Sequence, residues 1–98
     1  PFGPLVPILT FKTFDEVIER ANDNDLGLCS YLYTNSMDKA HIGSEKLETG
    51  CVAVNTGVVA LAEAPFGGIK QTGYGREGGS GAIKDYLNVK YTHMGLKI

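Results

Sequence analysis

The sequence predicts an α/β fold in which strands and helices alternate over the first 55 residues. Three observations carry that expectation. Apolar runs short enough for strands occur at 5–11 (LVPILTF), 28–34 (LCSYLYT) and 51–55 (CVAVN). Helix-period apolar spacing fills the intervals between them, and the connections are short. Strand, helix, strand, helix, strand in that order implies parallel pairing with right-handed crossovers.

Each element has a local reason. Pro1-Phe2-Gly3-Pro4 denies the backbone regular hydrogen bonding and reads as punctuation. The run 5–11 reads as a mostly buried strand, with Pro7 placing its start at an edge or bulge. Thr13 followed by Glu16 is a capping box, and Phe14, Val17, Ile18 and Ala21 then recur on one helical face. The stretch 22–27 (NDNDLG) ends that helix, with Gly27 available for a left-handed turn. Run 28–34 is rich in residues that suit a pleated surface. Ser36 caps a second helix from Met37 to about Glu48 that should bury Met37, Ala40 and Leu47 and stop before Gly50. Cys51 opens the third strand.

Residues 56–81 differ in kind, holding eight of the thirteen glycines in 26 positions without periodicity. An irregular stretch of that length in a compact domain suggests function. The tail then predicts a short helix over 82–86 and a half-buried strand over 87–94, with Leu87, Val89 and Tyr91 on one side and Asn88, Lys90 and Thr92 on the other. That strand has no obvious partner in the chain and calls for a sheet elsewhere.

Composition narrows the function classes. With 43% hydrophobic and 20% charged residues the chain matches ordinary globular proteins rather than disordered ones. Nine basic against 11 acidic residues, with no basic cluster, argue against a nucleic-acid partner. No apolar run approaches the roughly 20 residues that span a bilayer, and no secretion-signal pattern opens the sequence, so the expectation is a soluble cytoplasmic protein without membrane contact. Cys29 and Cys51 match no metal or redox spacing and read as buried free thiols rather than a disulfide. His41 and His93 are isolated, so no metal site is expected.

Gly73-Tyr74-Gly75-Arg76-Glu77-Gly78 is a literal G-x-G-x-x-G. In a dinucleotide site that pattern follows a strand and opens a helix. Here polar Lys70-Gln71-Thr72 precedes it, and the acidic residue due about 20 positions later would fall at the end of the sequence. The glycines read instead as positions where the chain bends tightly and passes close to neighbouring backbone.

Four segments in order resemble the C-terminal part of the aldehyde dehydrogenase superfamily: Phe2-Gly3-Pro4, Val54-Asn55, Pro65-Phe66-Gly67-Gly68-Ile69-Lys70-Gln71-Thr72-Gly73, and Gly75-Arg76-Glu77. The resemblance covers the whole chain. Val54-Asn55-Thr56-Gly57 and the ending Asp85-Tyr86-Leu87-x-Val89-Lys90-Tyr91 are most similar to the succinate-semialdehyde dehydrogenase branch. It implies an NAD- or NADP-dependent parent enzyme that oxidises a small aldehyde, succinate semialdehyde or a related semialdehyde, to the acid. In the family a cysteine attacks the aldehyde, hydride passes to nicotinamide and a glutamate activates water.

The resemblance implies further that nucleophile and general base both lie upstream of Phe-Gly-Pro. These 98 residues would then hold no catalytic group and be inactive alone. Cys51, at the start of an apolar strand with no cationic neighbour, is expected to be structural. Phe2 matches the phenylalanine packed near the nicotinamide ring, although the glutamate that holds the ribose two positions earlier is absent. Phe66 matches an aromatic wall of the aldehyde tunnel, and Gly57, Val58, Val59 and Ala60 its mouth. Glu77 matches an acid behind the water-activating centre, and a buried carboxylate there should find a partner. Ala60 stands where the branch commonly carries a serine that helps hold the substrate carboxylate, which leaves room for another semialdehyde or a less polar aldehyde.

By the same resemblance, residues 1–81 form the end of a catalytic domain with its glycine-rich pocket loop. Residues 82–98 form a short helix and strand of an oligomerisation element, in a homodimer or homotetramer. A rival reading from the residues alone is a self-contained α/β binding module. It would use the glycine-rich loop for an anion and the tail strand for β-augmentation.

Overall fold

A computed structural model describes residues 3–97 of the chain. Helix α1 spans Phe14–Asn22. Thr13 Oγ1 accepts the Glu16 amide at 3.2 Å, and the Glu16 carboxylate reaches back to accept the Lys12 amide at 2.8 Å. The expected capping residues therefore act as caps, satisfying donors that a helix start leaves open. Ile18 is buried, with Phe14 and Val17 half-buried beside it. Ala21, expected on the same face, is exposed; α1 packs against the second helix.

The chain continues as β1 (Leu26–Gly27), β2 (Cys29–Leu32), α2 (Met37–Lys46), β3 (Cys51–Val54), β4 (Ile69–Lys70) and a 3-10 turn at Ala82–Tyr86. β2 and β3 pair in parallel, from Cys29 opposite Cys51 to Leu32 opposite Val54, with α2 as the crossover. β1 and β4 pair antiparallel as a separate ribbon. The parallel unit in the centre of the prediction is thus present, and its helix starts where Ser36 Oγ accepts the Lys39 amide.

Three expectations need correction. The strands at 5–11 and 87–94 do not form among the described residues, where both segments are exposed and irregular. A strand needs a neighbour to take its amides and carbonyls, and no described segment runs beside either one. The strand, helix, strand, helix, strand array therefore reduces to one parallel β2–α2–β3 unit plus a short ribbon. In α2, Met37 is 73% exposed, and the buried position is Gly43. A Cβ there would lie 2.5 Å from Leu32 Cδ2, so the helix seats its backbone, not a large side chain, on β2. Gly27, finally, is a strand residue rather than a left-handed turn, and its lack of a Cβ admits the Glu48 carbonyl and the Ile69 side chain.

The core is correspondingly small. Ile18 and Ala53 are the buried apolar residues among those described. The radius of gyration is 19.3 Å, against about 13 Å for a compact chain of this length. The excess comes from apolar arms, with Leu5, Val6, Ile8 and Leu9 at one end and Leu87, Val89, Tyr91 and Leu96 at the other, all more than half exposed. A self-contained module would need those faces covered. No helix of the described residues is long and apolar enough to cross a membrane.

Two outcomes are expected for the complete protein. A methyl group at Gly50 would strike the Gly67 carbonyl and come within 3.0 Å of Gly68 Cα, both backbone atoms. Gly50→Ala should therefore lower stability by about 1–3 kcal/mol, while Gly57→Ala, with nothing within 4 Å, should not; denaturant midpoints for the pair decide it. The Glu16 carboxyl is held below its ordinary value by the Lys12 amide first, then by Thr13 and Arg20. Glu16→Gln should accordingly be less stable than the native protein at neutral pH. The gap should close as pH falls through the lowered Glu16 value, where the native carboxylate protonates.

Candidate functional site

The site is assembled where β3 ends and the glycine-rich stretch folds back on it. Asn55, just past β3, lies in the left-handed region at φ 55°. Asparagine tolerates that region better than most residues. From there its Oδ1 accepts the Thr34 amide and its Nδ2 donates to the Thr34 carbonyl, both at 2.9 Å. The side chain thus extends the β2–β3 pairing by one rung and fixes the direction in which residues 56–60 leave. Val54-Asn55 is recognisable in sequence, but this bracing role was not foreseen; an asparagine closing an apolar strand is the signal for it.

Beyond Asn55, Gly57, Val58 and Ala60 are exposed and Val59 is half-buried. The chain then returns so that Phe66 and Glu77 form an antiparallel bridge. The Phe66 amide donates to the Glu77 carbonyl at 2.7 Å, and the Glu77 amide donates back at 2.8 Å. Ala60, Phe66 and Glu77 line one open recess of about 350 Å³, together with Leu61, Ala62 and Gly78. Three of the residues expected at the site are therefore brought together. Gly57, Val58 and Val59 do not line that recess, and Phe2 lies outside the described residues.

Phe66 is half-buried and also faces a second recess shared with Leu28, Thr72, Arg76 and Tyr86. Glu77 is exposed, and among the described residues its carboxylate makes no ion pair or hydrogen bond. A partner is expected for a buried carboxylate, whereas here the Glu77 side chain is exposed and its backbone carries the bridge to Phe66.

Four side chains hold this loop. Arg76 Nη1 donates to the Gly68 and Gly75 carbonyls, each at 2.7 Å. Thr72 Oγ1 accepts the Gly27 amide at 2.8 Å, tying the loop to β1. Lys70 takes the left-handed region at φ 55°, a strained backbone for a side-chain-bearing residue. Its Nζ donates to the carbonyls of Asn22 at 2.9 Å and Asn24 at 3.1 Å and pairs with Glu48 at 2.6 Å. Cys51 Sγ lies 3.9 Å from the Gly67 carbonyl beneath the loop.

The literal G-x-G-x-x-G places Gly73, Gly75 and Gly78 at φ 121°, 84° and 71°. No helix follows directly, and the next turn is the five-residue 3-10 segment Ala82–Tyr86. The motif is a set of bends: a Cβ at Gly78 would lie 2.8 Å from the Ala64 carbonyl. The described residues offer no pyrophosphate cradle there, and no cluster of three His, Cys, Asp or Glu side chains that could hold a metal.

The family model for the aldehyde dehydrogenase family matches residues 1–92. The chain belongs to the aldehyde dehydrogenase family. It is 49% identical to a 3-sulfolactaldehyde dehydrogenase of Pseudomonas putida over 96% of this chain and 19% of that protein. It is 46% identical to the NADP-dependent succinate-semialdehyde dehydrogenase of Escherichia coli K12 over 97% of this chain and 20% of that protein. Among solved structures, an E. coli NADP-dependent enzyme superposes with a TM-score of 0.89 at 46% identity, over 96% of this chain and 20% of that one. An NAD+ complex of a Bacillus cereus aldehyde dehydrogenase superposes at 0.86 and 45% identity, over 91% and 18%. This aldehyde dehydrogenase chain thus spans about a fifth of the length of the relatives it matches.

Within the complete protein, Arg76→Ala should speed hydrogen exchange at the Phe66 and Glu77 amides by about ten- to a hundredfold, since hydrogen bonds to a charged group contribute about 1.5–3 kcal/mol. Arg76→Lys should recover part of the protection. Unaltered exchange in Arg76→Ala would show that the guanidinium does not hold the loop.

Proposed function

We propose that the complete protein oxidises a small semialdehyde to the carboxylic acid with NAD or NADP, and that this chain contributes substrate-recess and assembly elements but no catalytic group. The observation that carries the reading is the gathering of Ala60, Phe66 and Glu77 on one recess. Support also comes from relatives whose names specify succinate semialdehyde, glutarate semialdehyde and 3-sulfolactaldehyde as substrates. Each of those aldehydes carries an acid group at its far end, so the substrate class is an aldehyde with a distal anion.

In this reading Phe66 forms an apolar wall against the aldehyde chain, and Gly57, Val58, Val59 and Ala60 form the rim. Glu77 supports the wall through its backbone bridge. Nicotinamide, when bound, accepts the hydride. Phe2 is assigned beside the ring, but the described residues form no cradle for the cofactor, so its remaining contacts belong to other parts of the protein. Cys51 is assigned a structural role in this reading, supported by its place opposite Cys29 at the start of β3, off the recess.

Assembly rests on the tail. Val89 is fully exposed and Tyr91 nearly so, and we assign residues 82–98 to pairing with a sheet in a homo-oligomer. An uncovered apolar edge of this kind otherwise invites aggregation.

Reduced-nicotinamide formation by the complete protein with succinate and glutarate semialdehydes tests the reading, and absence of turnover with either cofactor would remove it. Ala60→Ser adds a donor at the rim and should lower KM for these substrates by about tenfold or more, in line with about 1.5–3 kcal/mol for a hydrogen bond to a charged group. An unchanged KM would take Ala60 off the substrate path. The 98-residue chain alone should show no oxidation with NAD or NADP; turnover lost in Cys51→Ser would instead make Cys51 the nucleophile.

A further inference from the structure

Cys29 and Cys51 stand opposite one another at the first rung of the parallel β2–β3 pair. Both thiols are free, and both residues are half-buried. Neighbouring strands lie about 4.7–4.9 Å apart, inside the Cα separations of about 4.4–6.8 Å that a disulfide bridges. Opposed residues of a ladder also present their side chains to the same face. Among the described residues no third ligand joins the pair to make a metal site. The contact of Cys51 Sγ with the Gly67 carbonyl at 3.9 Å places the pair directly under the loop that carries Phe66.

We propose that Cys29 and Cys51 form a redox site in which peroxide closes a cross-strand disulfide, withdrawing Cys51 from Gly67 and loosening the Phe66–Glu77 bridge above it. The step balances within the pair and the oxidant. One thiolate attacks hydrogen peroxide, forming a sulfenic acid and releasing hydroxide. The second thiol then displaces the sulfenic oxygen as water, closing the S–S bond. Overall, two thiols lose two electrons and two protons, and peroxide becomes two waters. A dithiol reductant reverses the bridge.

Burial raises the Cys29 thiol above its ordinary value, and the neighbouring Cys51 raises it further. At neutral pH Cys29 therefore remains a thiol, and closure should be slow there and faster in mild alkali, where thiolate appears.

The test uses the complete native protein, treated with hydrogen peroxide, blocked by alkylation and digested without reductant. Peptide mass spectrometry should recover Cys29 joined to Cys51, with more product as pH is raised, and dithiothreitol should abolish it. Hydrogen exchange at the Phe66 and Glu77 amides should quicken on oxidation. Cys29→Ser keeps Cys51 and its contact with Gly67, so its loop exchange should ignore peroxide. Recovery of both cysteines as alkylated thiols after oxidation, or of either one bridged to a different cysteine, overturns the site. A Cys29–Cys51 bridge that leaves Phe66 and Glu77 exchange unaltered overturns its coupling to the loop.

Discussion

The geometry depends on one close approach of backbone to backbone, where Gly50 meets Gly67 and Gly68 at the start of β3. Gly50 could not carry a side chain without pushing the loop away, because the atoms it would meet are the Gly67 carbonyl and Gly68 Cα rather than flexible side-chain ends. Close packing of this kind transmits displacement instead of absorbing it. The loop therefore takes its height above the sheet from β3, and the recess faced by Phe66 takes its shape from the loop.

Polar bonds then fix what the glycines permit. Lys70 joins two segments distant from it in sequence: the end of α1 with the turn after it, at Asn22 and Asn24, and the approach to β3 at Glu48. Its left-handed backbone would cost of order 1–3 kcal/mol on its own. Hydrogen bonds from a charged donor to two backbone carbonyls offset strain of that size. Asn22 bonds the far end of α2 at the same place, so both helices and the loop meet at one polar junction. Arg76 ties the loop to itself through the Gly68 and Gly75 carbonyls.

The two apolar arms complete the physical picture. Side chains such as Ile8 and Val89 remain in water here, although burying a large aliphatic side chain is worth about 1.5–3 kcal/mol. The same arms lie within the 96% of the chain that superposes on an intact NADP-dependent enzyme. The chain accounts for 20% of that enzyme's length.

Much was legible in the residues. Thr13 and Ser36 announce helix starts, since a cap is a local bond between a side chain and an amide three positions on. The parallel β2–β3 pairing follows from two apolar runs flanking one helix, and the family follows from motifs whose spacing is linear. What the sequence could not decide was which partner each segment would find. The runs at 5–11 and 87–94 have strand composition but no neighbour, and α2 buries Gly43 instead of Met37 because contact depends on how closely two backbones come. Likewise, only the folded chain sets Cys29 opposite Cys51 and Phe66 opposite Glu77. Local bonds and motif order are properties of neighbours along the chain; register, burial and the recess are properties of distant segments meeting, and only tertiary structure supplies those.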